Sequence, residues 1–308
     1  MSTSLPAPSS PAAPGRPGEI EEATNRRFIH PLSRRLVDQL AHTAVTPNQV
    51  SVLSVLAAAA GALCYLGLRW PWAALCGFGC QIAWHVLDGA DGDLARRTGR
   101  ASAVGELVDG VCDHLSQALF YIAFAVVLRR AMGDLAWLLA AAAALSHAAQ
   151  ANAYETSRKT YRRWVYGATW MRQAPPGGNV AQRLLARLYI GVSNVFSPGE
   201  AALEATMGPA IVGGGTAAEW ARALYRERQA PVVKTAAILG GNSRTLVAFA
   251  SMLAGSPLWF FLFEIVLLNA ALAALVLWRG RRNRTLAVAV RGAAQAASAP
   301  NCNLARRA

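Results

Sequence analysis

The sequence predicts an all-α integral membrane protein, and two observations carry that prediction. Of the 308 residues, 54% are hydrophobic and only 15% are charged. The apolar residues also lie in long runs, whereas the strands and helices of a soluble core show short alternations. A hydrocarbon core of about 30 Å needs about 20 helical residues to cross it, so these runs are long enough to span a bilayer.

Six apolar stretches are predicted to form transmembrane helices. An even number of crossings places both ends of the chain on the same side of the membrane. The stretches are Val50–Leu68, Trp72–Leu87, Leu107–Leu128, Leu135–Ala153, Val233–Leu253 and Leu258–Trp278.

The basic residues indicate which side of the membrane that is. Four groups of basic residues flank the apolar stretches at alternate ends. By the positive-inside rule, the loops that carry them are predicted to be cytoplasmic. Arg69, Arg129 and Arg130 do not follow the rule, because they fall at the other ends of the stretches. The net charge of +13 is then explained by attraction to anionic lipid, and nucleic acid is not an expected partner. We expect a multi-pass protein of a bacterial inner membrane with its functional residues facing the cytoplasm. The four groups are residues 26–35, 96–100, 158–163 and 279–284.

Composition divides the chain into six segments. Residues 1–18 are rich in Pro, Ala and Ser and predict a disordered tail, and residues 19–45 have the helical apolar spacing of an amphipathic helix on the membrane surface. Residues 46–155 hold helices one to four, 156–231 form a polar cytoplasmic insertion between helices four and five, and 232–280 hold helices five and six. Residues 281–308 are expected to form a basic, disordered tail.

Four aspartates form the constellation that points to chemistry. Asp88 and Asp91 are three residues apart at the end of the second apolar stretch, and Asp109 and Asp113 are four apart at the start of the third. Each pair therefore shares a helix face. The short connection makes the two helices antiparallel neighbours with both pairs at the cytoplasmic end, where four carboxylates need cations to neutralise them. Oxygen ligands favour Mg²⁺ or Mn²⁺, and two such ions suit displacement at phosphorus.

Residues beside the aspartates suggest a phosphate or nucleotide pocket. Gly92 and Gly105 would let a phosphate approach the backbone, although helix packing explains glycines equally simply. Arg96 can hold a pyrophosphate through paired hydrogen bonds, or serve as an ordinary membrane anchor. His85 and His114 are nearby, but a lone imidazole at a helix end is usually structural, and neither is included in the metal site.

The motif as a whole resembles the signature of the CDP-alcohol phosphotransferase family. It reads Asp88-x2-Asp91-Gly92-x2-Ala95-Arg96-x8-Gly105-x3-Asp109-x3-Asp113, and a start typical of the family's first membrane helix, Thr46-Pro47-Asn48, precedes it. Thr46 also suits the cap of that helix, with Pro47 in its first turn. Ser51 stands where relatives often have threonine, and the 156–231 insertion is longer than usual.

The resemblance implies roles for these residues. Asp88, Asp91 and Asp109 would hold two divalent ions, Mg²⁺ or Mn²⁺, and Asp113 would act as base and also touch a metal. Gly92, Ala95, Arg96, Gly105 and, less directly, Asn48 would line the CDP pocket. The implied partners are membrane lipid, a CDP-linked donor and a small alcohol acceptor, and relatives commonly form homodimers.

Several alternatives stay open from the sequence. The donor is either CDP-diacylglycerol with a small polar acceptor, or a CDP-linked head group, such as CDP-choline or CDP-ethanolamine, with diacylglycerol as acceptor. Arg158, Arg162 and Arg244 are candidates for contacting the acceptor, although topology or structural anchoring explains them as well. A cation transporter would also carry intramembrane acids, but nearer the midplane, and a noncatalytic scaffold would not require four converging acids.

Overall fold

The structure is a computed structural model that describes residues 17–67, 69–168, 191 and 194–298. All regular elements in these ranges are helical, which confirms the predicted all-α class. A π-helical turn at Asn25–Ile29 precedes the first helix, and a 3₁₀ turn at Ala236–Leu239 precedes the eighth. The helices are α1 (His30–Leu40), α2 (Pro47–Gly67), α3 (Trp72–Arg97), α4 (Ala103–Met132), α5 (Leu135–Tyr166), α6 (Glu200–Val212), α7 (Gly215–Thr235), α8 (Gly241–Leu253), α9 (Leu258–Leu262) and α10 (Leu268–Ser298).

The chain divides into two compact units. The first unit is Glu21–Ala151 with Ala237–Ala271. The second unit is Met1–Ile20, Asn152–Ala236 and Leu272–Ala308, of which residues 17–20, 152–168, 191, 194–236 and 272–298 are described. The motif aspartates belong to the first unit, so the fold of that unit decides how they are arranged.

Helix α2 is the central element of the first unit. It packs along both α3 and α4, whereas α3 and α4 approach each other closely at few positions. The two helices predicted to be antiparallel neighbours therefore meet at a few positions, such as the Trp84 and Phe120 rings, while α2 packs along both of them. Small residues on α2, such as Ala58 and Gly61, permit this close packing, because a Cβ at Gly61 would lie 3.0 Å from Cys80 and from Phe120.

An aromatic core fills the space that the helices of the first unit enclose. Tyr65, Phe120 and Phe124 pack together, with Tyr65 and Phe124 ring centroids 5.0 Å apart. Trp84 and Phe260 extend the cluster toward α3 and α9. Buried aromatic pairs contribute about 0.5–1.5 kcal/mol each beyond the area they bury, so this cluster stiffens the bundle around the functional residues.

Helix α1 is tied to α3 beside the first acidic pair. The Ser33 hydroxyl donates to the carbonyl of Val86 over 2.9 Å, and a Cβ at Gly89 would lie 3.0 Å from the Ser33 oxygen. On the opposite face, Phe28 and Leu32 are exposed. That exposed apolar ridge suits a helix on a membrane surface, and its position there stays a prediction.

Three helices are long and apolar enough to cross a membrane among the described residues. They are Pro47–Gly67, Val104–Met132 and Leu258–Ala296. The first two contain the predicted stretches Val50–Leu68 and Leu107–Leu128 almost completely, and the third contains Leu258–Trp278. The predicted stretches Trp72–Leu87 and Leu135–Ala153 lie in α3 and α5, which carry more polar residues toward their C-terminal ends.

The predicted fifth crossing, Val233–Leu253, is not one helix. α7 ends at Thr235, a 3₁₀ turn follows, and α8 begins only at Gly241. At Gly240 the chain passes so close to Glu22 that a Cβ would overlap the carboxylate. The apolar run concealed this break, although the local cluster Gly240-Gly241-Asn242-Ser243 is typical of a turn and could have marked it.

The second unit has its own core and corrects the predicted C-terminal tail. Tyr161, Trp164, Leu203 and Tyr225 bring together α5, α6 and α7. Residues of α10 join this core, and that helix continues to Ser298. Residues 281–298 are therefore helical and not the disordered tail expected. The predicted tail at residues 1–16, the C-terminal residues 299–308 and the central insertion at 169–190 lie outside the described residues.

Candidate active site

The first membrane helix begins with the cap that its sequence predicts. The Thr46 hydroxyl accepts from the Gln49 backbone N–H at 3.4 Å, and the Gln49 side chain accepts from the Thr46 N–H at 2.8 Å. This reciprocal pair is a capping box, and Pro47 is the first residue of α2. The cap fixes where α2 begins. Asn48 and Ser51 then both lie within the first two turns of α2, one turn apart.

Asp91 is the most buried of the four aspartates. It lies near the end of α3, and only 3% of its surface is exposed. One carboxylate oxygen accepts from the Ser51 hydroxyl on α2 at 2.5 Å, and the other accepts from the Gly92 backbone N–H. The sequence marked Ser51 only as a departure from relatives, and its contact with Asp91 had no sequence signal beyond that.

The acidic pairs of α3 and α4 converge. The Asp91 and Asp109 side chains lie close enough to interact with each other, and Asp113 lies close enough to Asp109 to repel it. Asp88, Asp91 and Asp109 all lie close enough to Cys112 to interact with it electrostatically. The structure therefore brings the four predicted acids into one neighbourhood of the first unit.

A divalent cation fits the chemistry of this neighbourhood. Carboxylate oxygens are the ligands that Mg²⁺ and Mn²⁺ prefer, and two carboxylates in contact repel each other unless a cation or a proton lies between them. Asp91 and Asp109 supply such a pair. Among the described residues, however, no three His, Cys, Asp or Glu side chains have an arrangement that would hold a metal ion. The donor set fits, and the full set of ligands stays a prediction.

Both nearby histidines are engaged elsewhere. His85 Nε2 lies 2.7 Å from the Thr245 hydroxyl, and His114 Nδ1 lies 2.7 Å from the Gly110 carbonyl within its own helix. These contacts give each imidazole a structural partner at one ring nitrogen, and the exclusion of both histidines from the metal site stays a prediction.

Asp113 has a neighbour that the sequence did not single out. The Gln117 side-chain amide, one turn along α4, lies 3.4 Å from each carboxylate oxygen of Asp113. These long hydrogen bonds orient the carboxylate without adding charge. Residues at i and i+4 share a helix face, so the spacing itself would have been sufficient to find Gln117.

The predicted CDP-pocket residues fall into two groups. Arg96 is exposed, pairs with Asp93, and lies over Gly92, whose Cβ would be 3.4 Å from the guanidinium. In the second group, Gly105 lies beside Asn48, since its Cβ would be 3.6 Å from the Asn48 amide oxygen. Ala95 is half-buried on α3. Each glycine thus leaves room next to a polar side chain, which the sequence alone could not show.

Arg244, a candidate for the acceptor, is buried with its donors committed. Its guanidinium donates to Glu264 at 2.8 Å, to the Gln150 side chain at 2.6 Å and to the Gly240 carbonyl at 2.9 Å. The carbonyl of Leu239 is a further acceptor. Glu264 lies on the π-helical segment Phe263–Leu267 between α9 and α10. These contacts support the anchoring role, and contact with an acceptor stays a prediction.

Arg158 and Arg162, the other acceptor candidates, belong to the second unit. Arg158 pairs with Glu155 at 3.2 Å and lies over the Tyr154 ring. Arg162 is half-buried, and its Nε lacks a hydrogen-bond partner among the described residues. Their role toward an acceptor stays a prediction.

Comparison with known proteins identifies the family that the motif resembles. The profile of the family described as "CDP-alcohol phosphatidyltransferase" matches residues 44–198, half of the chain, and includes the whole motif. A segment of 48 residues is 49% identical to "Uncharacterized CDP-alcohol phosphatidyltransferase class-I family protein 2" of Dictyostelium discoideum. That segment covers 16% of this chain and 12% of the relative. The chain therefore belongs to the CDP-alcohol phosphatidyltransferase family.

Proposed function

We propose that this protein synthesises phospholipid by moving a phosphatidyl group from CDP-diacylglycerol to a hydroxyl acceptor, with release of CMP. The observation that carries the proposal is the convergence of Asp91 and Asp109 beside Asp113, within the motif that the family shares. Asp91 is buried and held by Ser51. A rigid, acidic, partly desolvated site suits a reaction in which a charged pyrophosphate is broken.

Asp113 is the proposed base. It takes the proton from the acceptor hydroxyl, whose oxygen then attacks the phosphorus of the phosphatidyl group. A new oxygen–phosphorus bond forms as the bond to CMP breaks, and the electron pair of that bond leaves with CMP. Gln117 keeps both oxygens of Asp113 oriented during this transfer. No covalent intermediate on the protein is required.

Asp88, Asp91 and Asp109 are the proposed metal ligands, with Asp113 as a further contact. Two divalent ions, Mg²⁺ or Mn²⁺, supply neutralisation of the pyrophosphate and of the departing CMP when they are bound. The protein's share is to hold the carboxylates in place before the substrate arrives. The hydrogen bonds from Ser51 and from the Gly92 N–H do this for Asp91.

The CDP moiety is proposed to bind along Gly92, Ala95, Arg96, Gly105 and Asn48. Arg96 is exposed enough to exchange its partner Asp93 for a pyrophosphate oxygen. Such an exchange is inexpensive, because an exposed ion pair contributes only about 0–1 kcal/mol. Gly92 and Gly105 have no side chain of their own between the backbone and their polar neighbours, Arg96 at Gly92 and Ser102 and Asn48 at Gly105.

The proposed topology places this site on the cytoplasmic side. Besides the three candidate spans, α3, α5 and α8 would complete six crossings, with α1 on the membrane surface. α8 has 13 residues, about 20 Å at 1.5 Å per residue, so that crossing would be shorter than the hydrocarbon core. A homodimer in a bacterial inner membrane is part of the same proposal.

The test is a reaction with purified protein in nanodiscs. We would add Mg²⁺ or Mn²⁺, CDP-diacylglycerol or CDP-choline, and a panel of alcohols including diacylglycerol, and measure CMP. CMP from CDP-diacylglycerol supports the proposal, whereas CMP from CDP-choline alone supports the head-group transferase. No CMP from any pair, together with metal-dependent cation flux in liposomes, would favour a transporter.

Single substitutions test the roles. Asp113→Asn should abolish turnover and retain binding of the CDP donor, while Asp88→Asn should weaken metal dependence and donor binding together. Asp134→Asn is a matched control, because that residue is exposed and pairs only with Arg129 in the described contacts. Full activity of Asp113→Asn would remove Asp113 as the base.

A further inference from the structure

Helix α1 and the residues just before it carry their charges unevenly. Residues 21–40 contain three acidic side chains, and each has a partner within the first unit. The pairs are Glu21 with His30, Glu22 with Asn242, and Asp38 with Arg97. The acids of this segment are therefore already engaged by other residues of the protein.

The four arginines of the same segment are exposed and lack such partners. None of them forms an ion pair or a side-chain hydrogen bond within the described residues. They are Arg26, Arg27, Arg34 and Arg35. The segment therefore presents uncompensated positive charge to its surroundings.

An apolar ridge lies beside these cations. Phe28 is 64% exposed and Leu32 is 43% exposed. Arg35 follows Leu32 by three residues and so continues the same helix face, while Arg27 and Arg34 border that face. Aromatic and aliphatic side chains flanked by arginines are typical of a helix that lies in the interface of an anionic bilayer.

The partner that fits this face has both apolar surface and negative charge. Two of the helices that are long and apolar enough to cross a membrane, α2 and α4, belong to the same unit, so a bilayer is close at hand. A neutral bilayer would cover Phe28 and Leu32 but would leave the arginines without counter-ions. A soluble polyanion would do the reverse. Anionic lipid supplies both parts.

The inner face of α1 packs on the part of α3 that carries the first acidic pair. The Ser33 hydroxyl donates to the Val86 carbonyl over 2.9 Å. Val37 is 3% exposed and packs in one buried cluster with Ala90 and Leu94. These contacts lie on both sides of the acidic pair along α3, so a restraint on α1 is also a restraint on that end of α3.

We propose that the outer face of α1 binds the head groups of anionic lipids in the bilayer. This face is made by Phe28, Leu32, Arg27, Arg34 and Arg35. Through the inner face of α1, the contact steadies the end of α3 that carries the first acidic pair. The inference goes beyond the transferase function and does not depend on it.

Hydrogen–deuterium exchange read by mass spectrometry tests the contact on the full chain in nanodiscs. Exchange in residues 26–40 and 86–97 is compared between nanodiscs of phosphatidylcholine alone and nanodiscs that also contain phosphatidylglycerol. Amide exchange reports local opening of a helix. The test variant is Arg27→Gln/Arg34→Gln/Arg35→Gln. The matched control is Arg69→Gln/Arg129→Gln/Arg130→Gln, which removes three exposed arginines from the same unit.

We expect phosphatidylglycerol to slow exchange in both segments at least about fivefold, the effect of one arginine near an anionic surface. High salt should remove most of the slowing, because it screens exposed charges. The test variant should lose the slowing, and the control should keep it.

Equal exchange in the two lipids overturns the inference. Slowing that survives in the test variant, or that the control loses equally, also overturns it. Slowing confined to residues 26–40 refutes the link to α3. The comparison of lipids and salt on the wild-type protein decides the matter even if the test variant does not fold.

Discussion

Removing the Arg244 guanidinium tests whether this residue anchors the first unit or contacts the acceptor. The side chains of Arg244 and Glu264 are 7% and 0% exposed and form an ion pair of 2.8 Å. Arg244→Met leaves Glu264 buried without its cation, and breaking a buried pair from one side costs about 3–5 kcal/mol. The amide oxygen of Gln150 also loses its donor at 2.6 Å, which adds about 1 kcal/mol.

The expected loss of roughly 4–6 kcal/mol is large enough to see in a thermal melt. At about 2–4 °C per kcal/mol for chains of 150–250 residues, the midpoint should fall by roughly 8–24 °C. Arg244→Met/Glu264→Met should recover most of the loss, because replacing both members of a buried pair by apolar groups is often neutral. The exposed pair of Arg97 and Asp38 is the control, and Arg97→Met should change stability by about 0–1 kcal/mol.

The assay is thermal unfolding in detergent, followed by loss of the monodisperse peak in size-exclusion chromatography. Activity of the double variant is measured in parallel. A normal acceptor KM in a stable double variant means that Arg244 is an anchor, and a raised KM means that it also contacts the acceptor. An unchanged midpoint for Arg244→Met would refute the reasoning about the buried pair.

Three further substitutions test other contacts. Ser51→Ala removes a hydrogen bond to the charged Asp91, so kcat/KM should fall about 10- to 100-fold, while Ser51→Thr should keep most of the activity; equal activity of both would contradict a positioning role. Gly240→Ala adds a methyl that overlaps the Glu22 carboxylate and lies 2.9 Å from the backbone carbonyl of Ala237. Because the backbone cannot swing aside as a side chain can, we expect unfolding to cost about 1–3 kcal/mol less, whereas no loss would mean that the turn relaxes freely. Burial alone would raise the pKa of Glu19, but hydrogen bonds from two tyrosines and the backbone lower that pKa overall. The Glu19 carboxylate therefore stabilises the fold at a pH above the ordinary carboxyl pKa, and this stabilisation is lost as the pH falls through its lowered pKa. The difference in stability between wild type and Glu19→Gln should shrink in acid. A difference that grows in acid would contradict a lowered pKa for Glu19.

The sequence by itself determined the features that depend on neighbours along the chain. Long apolar runs predicted an all-helical membrane protein, because one local composition is enough to favour a spanning helix. Thr46 and Pro47 predicted the start of α2, since a cap involves residues only three apart. The spacing of the four aspartates, with their glycines, identified the family.

The tertiary structure decided which distant residues meet. It placed α2 between the two acidic helices, so that Ser51 reaches Asp91 forty positions further along the chain. It also committed Arg244 to Glu264 and broke the expected fifth span at Gly240. Local patterns of polarity and spacing carry no information about such pairs, because each contact depends on the packing of the whole unit. The family of this protein was thus readable from its motif, and the contacts that hold Asp91 only from its fold.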